Sequence, residues 1–484
     1  MNLKMISYML GRVILIIGAF LLIPLVVSIV NADGAFLGFL VPVTLMTGLG
    51  LAGIFLKPKN LRMNISAGFV TVALAWVLLS FFGSLPFFIS GAIPNFLDSL
   101  FESVSGFTTT GASVIPDVEI LPVSILLWRS FTHWIGGLGV LVFVLAVLPK
   151  SESGAVHIFR AETTGPKAGK LTSKLKVTAR ILYLMHIALT TVELIALLIA
   201  GMSFFDALTT AFSTAGTGGF ALKNASIGAY GSLPIEIVVM VFMFIFSINY
   251  NLFFLILIGR AKEVLKSEEF KTYLVILFIS VAAIAVNILS VYDNFWTALR
   301  YSSFQVFSIS STTGFATADY TLWPSFAQSV LVILMLLGAT AGSTGGGFKV
   351  SRFLILVKSF FRNLQRTIRP RSVKTLKFDG EPMESSVVDS VHSFFMAYTL
   401  LLVGGSLLIS LNGTFSADFA TSITAAISCL SNVGPGLARI GPAFTFAEFS
   451  GFTKVVMSLL MLAGRLEIFP ILFLFYPKTW NKTF

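Results

Sequence analysis

The chain has 484 residues, of which 56% are hydrophobic and 11% are charged, and its mean hydropathy is +0.91. This composition excludes a soluble globular protein, and apolar runs of about 20 residues predict membrane-spanning helices rather than barrel strands. The single cysteine, Cys429, excludes an internal disulfide and a cysteine-based metal cage. The first apolar run, 13–30, lacks a convincing cleavage site and is soon followed by a second span, so we expect no cleavable signal sequence.

The net charge of +11 is concentrated on one side of the predicted membrane. Basic residues cluster in 57–62, 150–180, 260–271 and 349–377, whereas the connections on the other side carry few. By the positive-inside rule the basic side is cytoplasmic. The positive net charge is therefore explained without binding to nucleic acid. Its distribution predicts a multi-pass protein in a lipid bilayer, with its basic loops in the cytoplasm.

In chain order, two apolar spans come first, and we expect them to be peripheral. The remainder divides into four copies of one pattern, in which a short polar-faced helix lies between two apolar spans. We predict an all-α membrane protein with about ten transmembrane helices, whose four span–pore-loop–span repeats have a pseudo-fourfold arrangement around one pore. The peripheral part is predicted at 1–62, with spans at 13–30 and 36–56. The four repeats are predicted at 63–150, 151–262, 263–382 and 383–484. The second span of each repeat is predicted at 123–148, 235–258, 326–361 and 449–475, respectively.

Each short helix is followed by small or hydroxyl residues and a glycine, as in FESVSGFTTTGAS at 101–113. The later copies are FSTAGTGGF at 212–220, FSISSTTGF at 307–315 and ISCLSNVGPG at 427–436. Glycine adopts positive φ and carries no side chain, so a ring of such turns could direct carbonyl oxygens at an axis and replace the hydration shell of a monovalent cation. The alternative is that these residues form ordinary small-residue helix contacts or loop turns, which are common in membrane proteins. The predicted filter consists of Thr109, Thr110, Gly111, Gly218, Gly219, Thr312, Thr313, Gly314, Asn432, Val433 and Gly434.

The second copy contains two adjacent glycines, and sequence does not separate them. We place Gly219 at the axis because it directly precedes Phe220.

The second span of the third repeat contains the glycine-rich string LGATAGSTGGGFK at 337–349. Because each glycine disfavours helix by roughly 1 kcal/mol relative to alanine, we expect the helix to break there and to form an intramembrane gate beneath the filter. The string lacks the Gly-Lys-Ser/Thr ending of a phosphate-binding loop. Close helix packing through Gly338 and Gly342 is the alternative. The predicted gate consists of Gly338, Gly342, Gly345, Gly346, Gly347 and Arg465.

Several charged or titratable residues fall in the predicted membrane region. Asp98 and Glu102 begin the first short helix, where they could cap it or attract cations. For His133 we expect a structural hydrogen-bonding role. Glu193 is either a functional carboxylate or a buried partner of the helix that carries Arg129.

Arg465 lies in the inner half of the last span. There it could act as a barrier to cations and bond the carbonyls of the glycine-rich break, or it could simply tie two helices together. Glu467 is at i+2 and cannot be its partner on the same helix face. The polar stretch 358–382 is predicted to be a cytoplasmic linker that either rests on anionic lipid or docks a cytosolic partner.

Taken together, TTTGAS, TGGF, STTGF, SNVGPG, GATAGSTGGGFK and the terminal LMLAGRLEIFP resemble the TrkH-type potassium uptake channel subunit of the Trk/Ktr/HKT superfamily. The resemblance covers nearly the whole chain, and the two additional N-terminal spans favour the TrkH branch. It implies a channel-like K+ translocator in the inner membrane of a prokaryote, with K+ passing through the filter residues and with neither a prosthetic group nor a structural metal. Glycine at all four filter positions matches the K+-selective members, in contrast to relatives that carry serine in the first copy and pass sodium.

The same resemblance implies a homodimer in which each subunit has its own pore. It also implies gating by a cytosolic nucleotide-binding TrkA-type ring, so the nucleotide is expected on the partner rather than on this chain. A proton- or sodium-coupled secondary cation transporter remains the alternative, with Glu193 as its candidate carboxylate. An intramembrane enzyme is disfavoured, because the sequence shows no paired aspartate, no HExxH and no nucleophile beside a base.

Overall fold

The structure is a computed structural model that describes residues 3–56, 65–137, 139, 175–369, 375–412 and 418–480. Within these ranges the chain is mostly helical, as predicted, and the only sheet is a two-stranded hairpin, β1 (Lys377–Phe378) and β2 (Glu381–Pro382). The end of the predicted span 123–148 and much of the predicted basic segments 57–62 and 150–180 lie outside the described residues.

Helices α1 (Leu3–Asn31) and α2 (Phe36–Phe55) correspond to the two predicted N-terminal spans. Their backbones touch, since a Cβ built on Gly53 would lie 2.8 Å from the Cα of Gly11. Such contact requires small residues on both helices. The turn between them is held against the first repeat by Asp33, whose carboxylate accepts the backbone N–H of Ser124 at 2.9 Å.

The remaining helices follow the predicted order of span, short helix and span. The first repeat has α3 (Ile65–Ile89), α4 (Phe96–Phe107) and α5 (Val123–Gly137), and the second has α6 (Leu175–Ile199), α7 (Phe204–Ala215), α8 (Leu233–Ser247), α9 (Tyr250–Leu257) and the short α10 (Ala261–Val264). The third has α11 (Glu268–Asn287), α12 (Phe295–Ser310), α13 (Ser325–Leu337) and α14 (Val350–Ile368), and the fourth has α15 (Ser385–Ser410), α16 (Phe419–Ser431), α17 (Gly451–Arg465) and α18 (Phe469–Phe475).

Six helices among the described residues are long and apolar enough to cross a membrane, and the pair α8 and α9 would make a seventh. The prediction of one continuous span at 235–258 is wrong, because α8 and α9 meet at 93°. At this break the Asn249 side chain caps α9 by accepting the N–H of Asn251 at 2.9 Å. The carbonyl of Ser247 accepts the Thr340 hydroxyl at 2.8 Å, so a distant segment occupies the place of the missing helical bonds.

The last predicted span, 449–475, is also interrupted. Helix α17 ends at Arg465 and α18 begins at Phe469, with Glu467 and Ile468 both at positive φ. Glu467 leaves its own helix and forms an ion pair with Arg352 of α14. As expected from its i+2 spacing, it is not the partner of Arg465.

The four short helices α4, α7, α12 and α16 all begin with a side-chain cap. The capping residues are Asn95, Ser203, Asn294 and Asp418, and each accepts a backbone N–H of the first helical turn. Such caps satisfy amides that a helix leaves unpaired at its start. A polar residue of capping type therefore begins each of the four helices, and each helix is followed by a turn that contains glycine.

Candidate functional site

The four segments after α4, α7, α12 and α16 share one backbone conformation. In each, a residue in the left-handed region is followed by a middle residue and then by a glycine at positive φ. Left-handed φ is unusual for residues other than glycine, so its recurrence at one position indicates a common built geometry. The left-handed residues are Thr109 (φ 55°), Thr217 (53°), Thr312 (59°) and Asn432 (55°), and the glycines are Gly111 (80°), Gly219 (78°), Gly314 (83°) and Gly434 (99°).

These four turns touch one another in a closed ring. A Cβ built on Gly111 would collide with the carbonyl oxygen of Gly218, and one on Gly219 would collide with that of Thr313. In the same way Gly314 abuts the carbonyl of Val433, and Gly434 lies 2.6 Å, measured from its built Cβ, from the carbonyl of Thr110. The middle residue of each copy therefore presents its carbonyl to the glycine of a neighbouring copy. All four glycines are required because no side chain fits.

The two adjacent glycines of the second copy have separate reasons for lacking a side chain. Gly219 has the positive φ and the neighbour in the ring that its counterparts have. Gly218 is the middle residue, and a Cβ there would collide with the imidazole ring of His133. The sequence could not distinguish the two, because the contact with His133 is made by a residue 85 positions away (218 − 133).

Hydrogen bonds of hydroxyl groups support the first, third and fourth turns. The hydroxyls of Thr108 and Thr110 lie 2.8 Å apart, and those of Ser311 and Thr313 lie 2.7 Å apart. In the fourth copy the Ser428 hydroxyl donates to the carbonyl of Gly434 at 2.7 Å. The first two contacts restrict the side chains of the turns, and the third holds the carbonyl of Gly434.

The ring opens on one side into a cavity of about 150 Å³ that all four glycines line. Arg129, Lys223 and Asn224 contribute to the same cavity. Lys223 and Asn224 are in turn held by Glu119, through an ion pair at 3.2 Å and a backbone bond at 3.2 Å. The mouth of the ring is therefore polar, and a hydrated ion is compatible with its lining.

Glu102 and Asp98 are engaged in ion pairs and cap no helix. Glu102 is fully buried and accepts the Arg129 guanidinium at 2.6 Å and the Val114 N–H at 2.9 Å. Asp98 accepts the Lys454 ammonium at 2.6 Å, which joins α4 to α17. The capping alternative is wrong for both, since Asn95 caps α4. Their charges are neutralised locally.

Arg129 links the first two copies. It also donates to the carbonyl of Ala221 at 3.0 Å, and its guanidinium lies 3.8 Å from the centre of the Phe220 ring. His133, four residues further along α5, stacks on the same ring at 4.1 Å. Among the described residues neither imidazole nitrogen of His133 has a hydrogen-bond partner, so its structural role is packing rather than the hydrogen bonding we predicted.

Glu193 is fully buried on α6 and forms no ion pair among the described residues. The suggestion that it pairs with the Arg129 helix is not supported, because Arg129 pairs with Glu102.

On the opposite side of the ring lies the glycine-rich segment 338–349, in which the predicted helix break is confirmed. Gly338, Gly342 and Gly347 have positive φ, so none of them belongs to a helix that could pack through a small-residue face. Instead, Gly338 packs on Gly346 and Gly347 of the same segment, and Gly342 packs on Asn249 at the break between α8 and α9. The alternative of helix packing through Gly338 and Gly342 is therefore wrong.

This segment contacts the third and fourth turns directly. The N–H of Gly346 donates to the Thr312 hydroxyl at 2.7 Å, and a Cβ on Gly346 would collide with the carbonyl of Ser431. Gly345 lies against the carbonyl of Ser311, 2.8 Å from its built Cβ position. Gly345 and Gly346, two of the predicted gate glycines, therefore contact residues that precede the ring glycines of the third and fourth turns.

Arg465 reaches the same segment from α17. Its guanidinium donates to the carbonyl of Thr344 at 2.8 Å and to that of Gly137 at 2.5 Å, and it also bonds the carbonyl of Gly136. It therefore connects three elements, namely α17, the glycine-rich segment and the end of α5.

Two residues at this segment were not recognised from the sequence. Lys349 counted among the cytoplasmic basic residues, but it is buried, has φ of 81° and donates its ammonium group to the carbonyl of Gly345. Glu269, at the start of α11, is buried and accepts the N–H groups of Ala341 and Ser351 at 2.8 and 2.9 Å. The only available signal for Lys349 was its position two residues after the three consecutive glycines 345–347.

The chain combines long apolar helices with four backbone turns that touch in a ring, and this combination is typical of a helical membrane transport protein. The family model described as "TrkH: Cation transport protein" matches residues 49–482, and the chain belongs to this family of transporters, which is not a family of enzymes. The chain is 35% identical to the Trk system potassium uptake protein TrkH of Vibrio parahaemolyticus and 33% identical to that of Escherichia coli, in each case over 100% of both chains.

Comparison with solved structures gives the same family. The fold matches the crystal structure of the potassium transporter TrkH from Vibrio parahaemolyticus with a TM-score of 0.89, at 33% identity and over 99% of this chain and 100% of that chain.

Proposed function

We propose that the protein takes up potassium ions across the cytoplasmic membrane through a channel-like pore. The observation that carries this proposal is the closed ring, in which each glycine leaves room for the carbonyl of a neighbouring turn. Backbone carbonyls at short range can replace the water around a monovalent cation. The names of the relatives, potassium uptake proteins, support K+ as the transported ion.

In this proposal the four repeats surround one pore with pseudo-fourfold symmetry, within a chain of about ten spans. The filter consists of the residues from Thr109 to Gly111, Gly218 and Gly219, Thr312 to Gly314, and Asn432 to Gly434. The C-terminal ends of the four short helices approach it, so their partial negative charge favours a cation at the centre. The cavity of about 150 Å³ is the outer entrance, and the basic loops lie in the cytoplasm.

The glycine-rich segment is the gate. It lies behind the third and fourth turns and is held there by Thr312 and Arg465. An ion that leaves the ring towards the cytoplasm would meet this segment. The proposal also includes regulation by a cytosolic nucleotide-binding partner and assembly as a homodimer. Both of these rest on the family resemblance alone.

The test is tracer flux of Rb+ and K+ into proteoliposomes that contain the purified protein alone. We expect passive flux that depends on the K+ gradient, exceeds the flux of Na+, and rises when residues are deleted from 342–346. Flux that requires an imposed proton or sodium gradient would favour a coupled secondary transporter instead. The burial of Glu193 without an ion pair among the described residues keeps that second function open, and Glu193→Gln should abolish coupling if it is correct.

A further inference from the structure

We propose that Glu269 is the latch that holds the glycine-rich segment closed, an inference that rests on the proposed function of that segment as a gate. Glu269 belongs to neither the ring nor the segment. It lies in the first turn of α11, a helix of the third repeat, and only 6% of its surface is exposed.

A single oxygen of Glu269 joins the two ends of the break. Oε1 accepts the N–H of Ala341 at 2.8 Å and the N–H of Ser351 at 2.9 Å. Ala341 lies within the glycine-rich segment, whereas Ser351 lies in the first turn of α14, which resumes the helix. The carboxylate therefore fixes the separation of Ala341 and Ser351. The four glycines between these two residues constrain the backbone little on their own.

Electrostatics favours this arrangement. The first turn of a helix presents unpaired N–H groups and a partial positive charge, which a carboxylate satisfies. Hydrogen bonds to a charged acceptor are roughly twice as strong as those between neutral groups. Without the carboxylate, the Ala341 N–H would lose the bond that holds it at this position.

The surroundings of Glu269 provide a place to which the side chain can move. A cavity of about 530 Å³ lies against it, lined also by Lys266, Asp379 and Glu381. The hairpin of β1 and β2 forms one wall, and the Asp379 carboxylate in its turn accepts the N–H of Glu268 at 2.7 Å. Glu269 therefore has space in this cavity in which its carboxylate can exchange the two amide partners for water.

The neighbouring acid provides a matched control. Glu268 has the same charge and lies in the same helical turn, but its carboxylate pairs with Lys358 of α14 and touches no part of the glycine-rich segment. A general loss of negative charge or a loosened α11 would affect both positions alike. A latch would affect Glu269 alone.

The experiment measures resting Rb+ flux per folded molecule in proteoliposomes for Glu269→Ala, Glu269→Gln and Glu268→Ala. Losing two charge-assisted hydrogen bonds that stabilise only the closed segment should raise resting flux at least about tenfold for Glu269→Ala. Glu269→Gln retains an acceptor oxygen and should fall between that variant and the unchanged protein. Glu268→Ala should remain within about twofold of the unchanged protein, and the ratio of K+ to Na+ flux should change in none of them.

Hydrogen exchange provides a second readout that a purely structural role would not produce. In Glu269→Ala, peptides covering 339–352 should exchange faster, while peptides from α12 and α16 should not. If Glu269→Ala does not fold, Glu269→Asp replaces it, because the charge is kept but the shortened side chain cannot reach both amides, and the same rise in flux is required.

The outcomes separate the latch from the gate. Unchanged flux in folded Glu269→Ala or Glu269→Asp, together with raised flux after deletion within 342–346, would overturn the latch and leave the proposed gate intact. Unchanged flux in the deletion variant, although the unchanged protein conducts, would overturn the gate and the latch together. A rise of equal size in Glu268→Ala would also overturn the latch, because it would assign the effect to α11 as a whole.

Discussion

The side-chain amide of Asn432 donates a hydrogen bond of 3.0 Å to the hydroxyl of Thr110, a residue 322 positions earlier in the chain. This bond joins the last of the four turns to the first. A second bond, from the same nitrogen to the carbonyl of Met461 at 3.0 Å, ties the turn to α17. Asn432 thus combines a left-handed backbone, which asparagine tolerates better than most residues, with two donors at the point where the ring closes.

Asn432→Asp should therefore loosen the proposed filter, although the new side chain has nearly the same size as the old one. Aspartate tolerates the same backbone conformation but offers no side-chain N–H, so the bonds to the Thr110 hydroxyl and the Met461 carbonyl are both lost. We expect a loss of roughly 1–3 kcal/mol in unfolding free energy and a lower ratio of K+ to Na+ flux. Thermal unfolding in detergent and paired flux assays measure the two effects, and an unchanged ion ratio would show that this bond does not shape the filter.

Gly111→Ser should raise the passage of Na+ relative to K+. The new side chain has no room beside the carbonyl of Gly218, so either that carbonyl or the turn itself must shift. If the ring is the K+ filter we propose, a displaced carbonyl would no longer match the size of K+.

The matched control for this variant is Gly404→Ser in α15, where a built Cβ meets no atom within 4 Å. Ion ratios should be unchanged in this control. Unchanged ratios in folded Gly111→Ser as well would remove Gly111 from the filter.

The sequence was informative where function depends on backbone conformation. A backbone position that needs positive φ favours glycine, and this preference is visible in the sequence. The positions of Gly111, Gly314 and Gly434 were recognised in this way. The break at 338–349 was also predicted, because its glycine content is incompatible with a stable helix. The role of these segments as filter and gate remains a proposal.

What the sequence did not reveal depends on contacts between distant residues. The bend at Ser247 and Asn249 was missed although Ser247, Asn249 and Asn251 interrupt the apolar run there. The Thr340 hydroxyl that takes the place of the lost helical bonds lies 93 positions away. Glu269 and Lys349 were missed for a related reason. Each stands next to a basic or acidic run that is typical of a solvated loop, and only the fold shows that both are buried.

The turn between α1 and α2 gives the protein a pH-dependent contact outside the spans. Burial alone would raise the pKa of Asp33, but hydrogen bonds from Ser124 and Ser28 outweigh it, and the pKa lies below its ordinary value of 3.8. A lowered pKa in the folded state stabilises the protein at pH values above 3.8, and this contribution is lost as the pH falls through the folded-state pKa.

Asp33→Asn should accordingly lower the melting temperature at pH 7 but have little effect at a pH below the folded-state pKa, where the wild-type carboxyl is protonated. The measurement is the difference between the two proteins at each pH, since acid affects many other groups. A difference that does not shrink in acid would mean that Asp33 stabilises the turn through its shape rather than its charge.

Arg465 bears most directly on how ions would cross the inner half of the membrane. Its guanidinium carries a permanent positive charge behind the ring, and it holds the carbonyls of Thr344 and Gly137 at 2.8 and 2.5 Å. The charge repels a cation and the hydrogen bonds keep the glycine-rich segment in place, so both effects oppose conduction. Arg465→Ala should increase K+ flux per folded molecule and leave the K+ to Na+ ratio nearly unchanged, because the ring lies on the other side of the segment.

Arg465→Lys separates these two effects. Lysine keeps the charge but lacks the planar fork of donors, so it cannot hold the carbonyls of Thr344, Gly136 and Gly137 in the same geometry. If repulsion dominates, flux through Arg465→Lys should remain close to that of the unchanged protein, whereas if the hydrogen bonds dominate it should approach that of Arg465→Ala. An arginine that only ties helices together would instead give a lower yield of folded protein in both variants and no gain in flux per folded molecule, so flux normalised to monodisperse protein decides among the three.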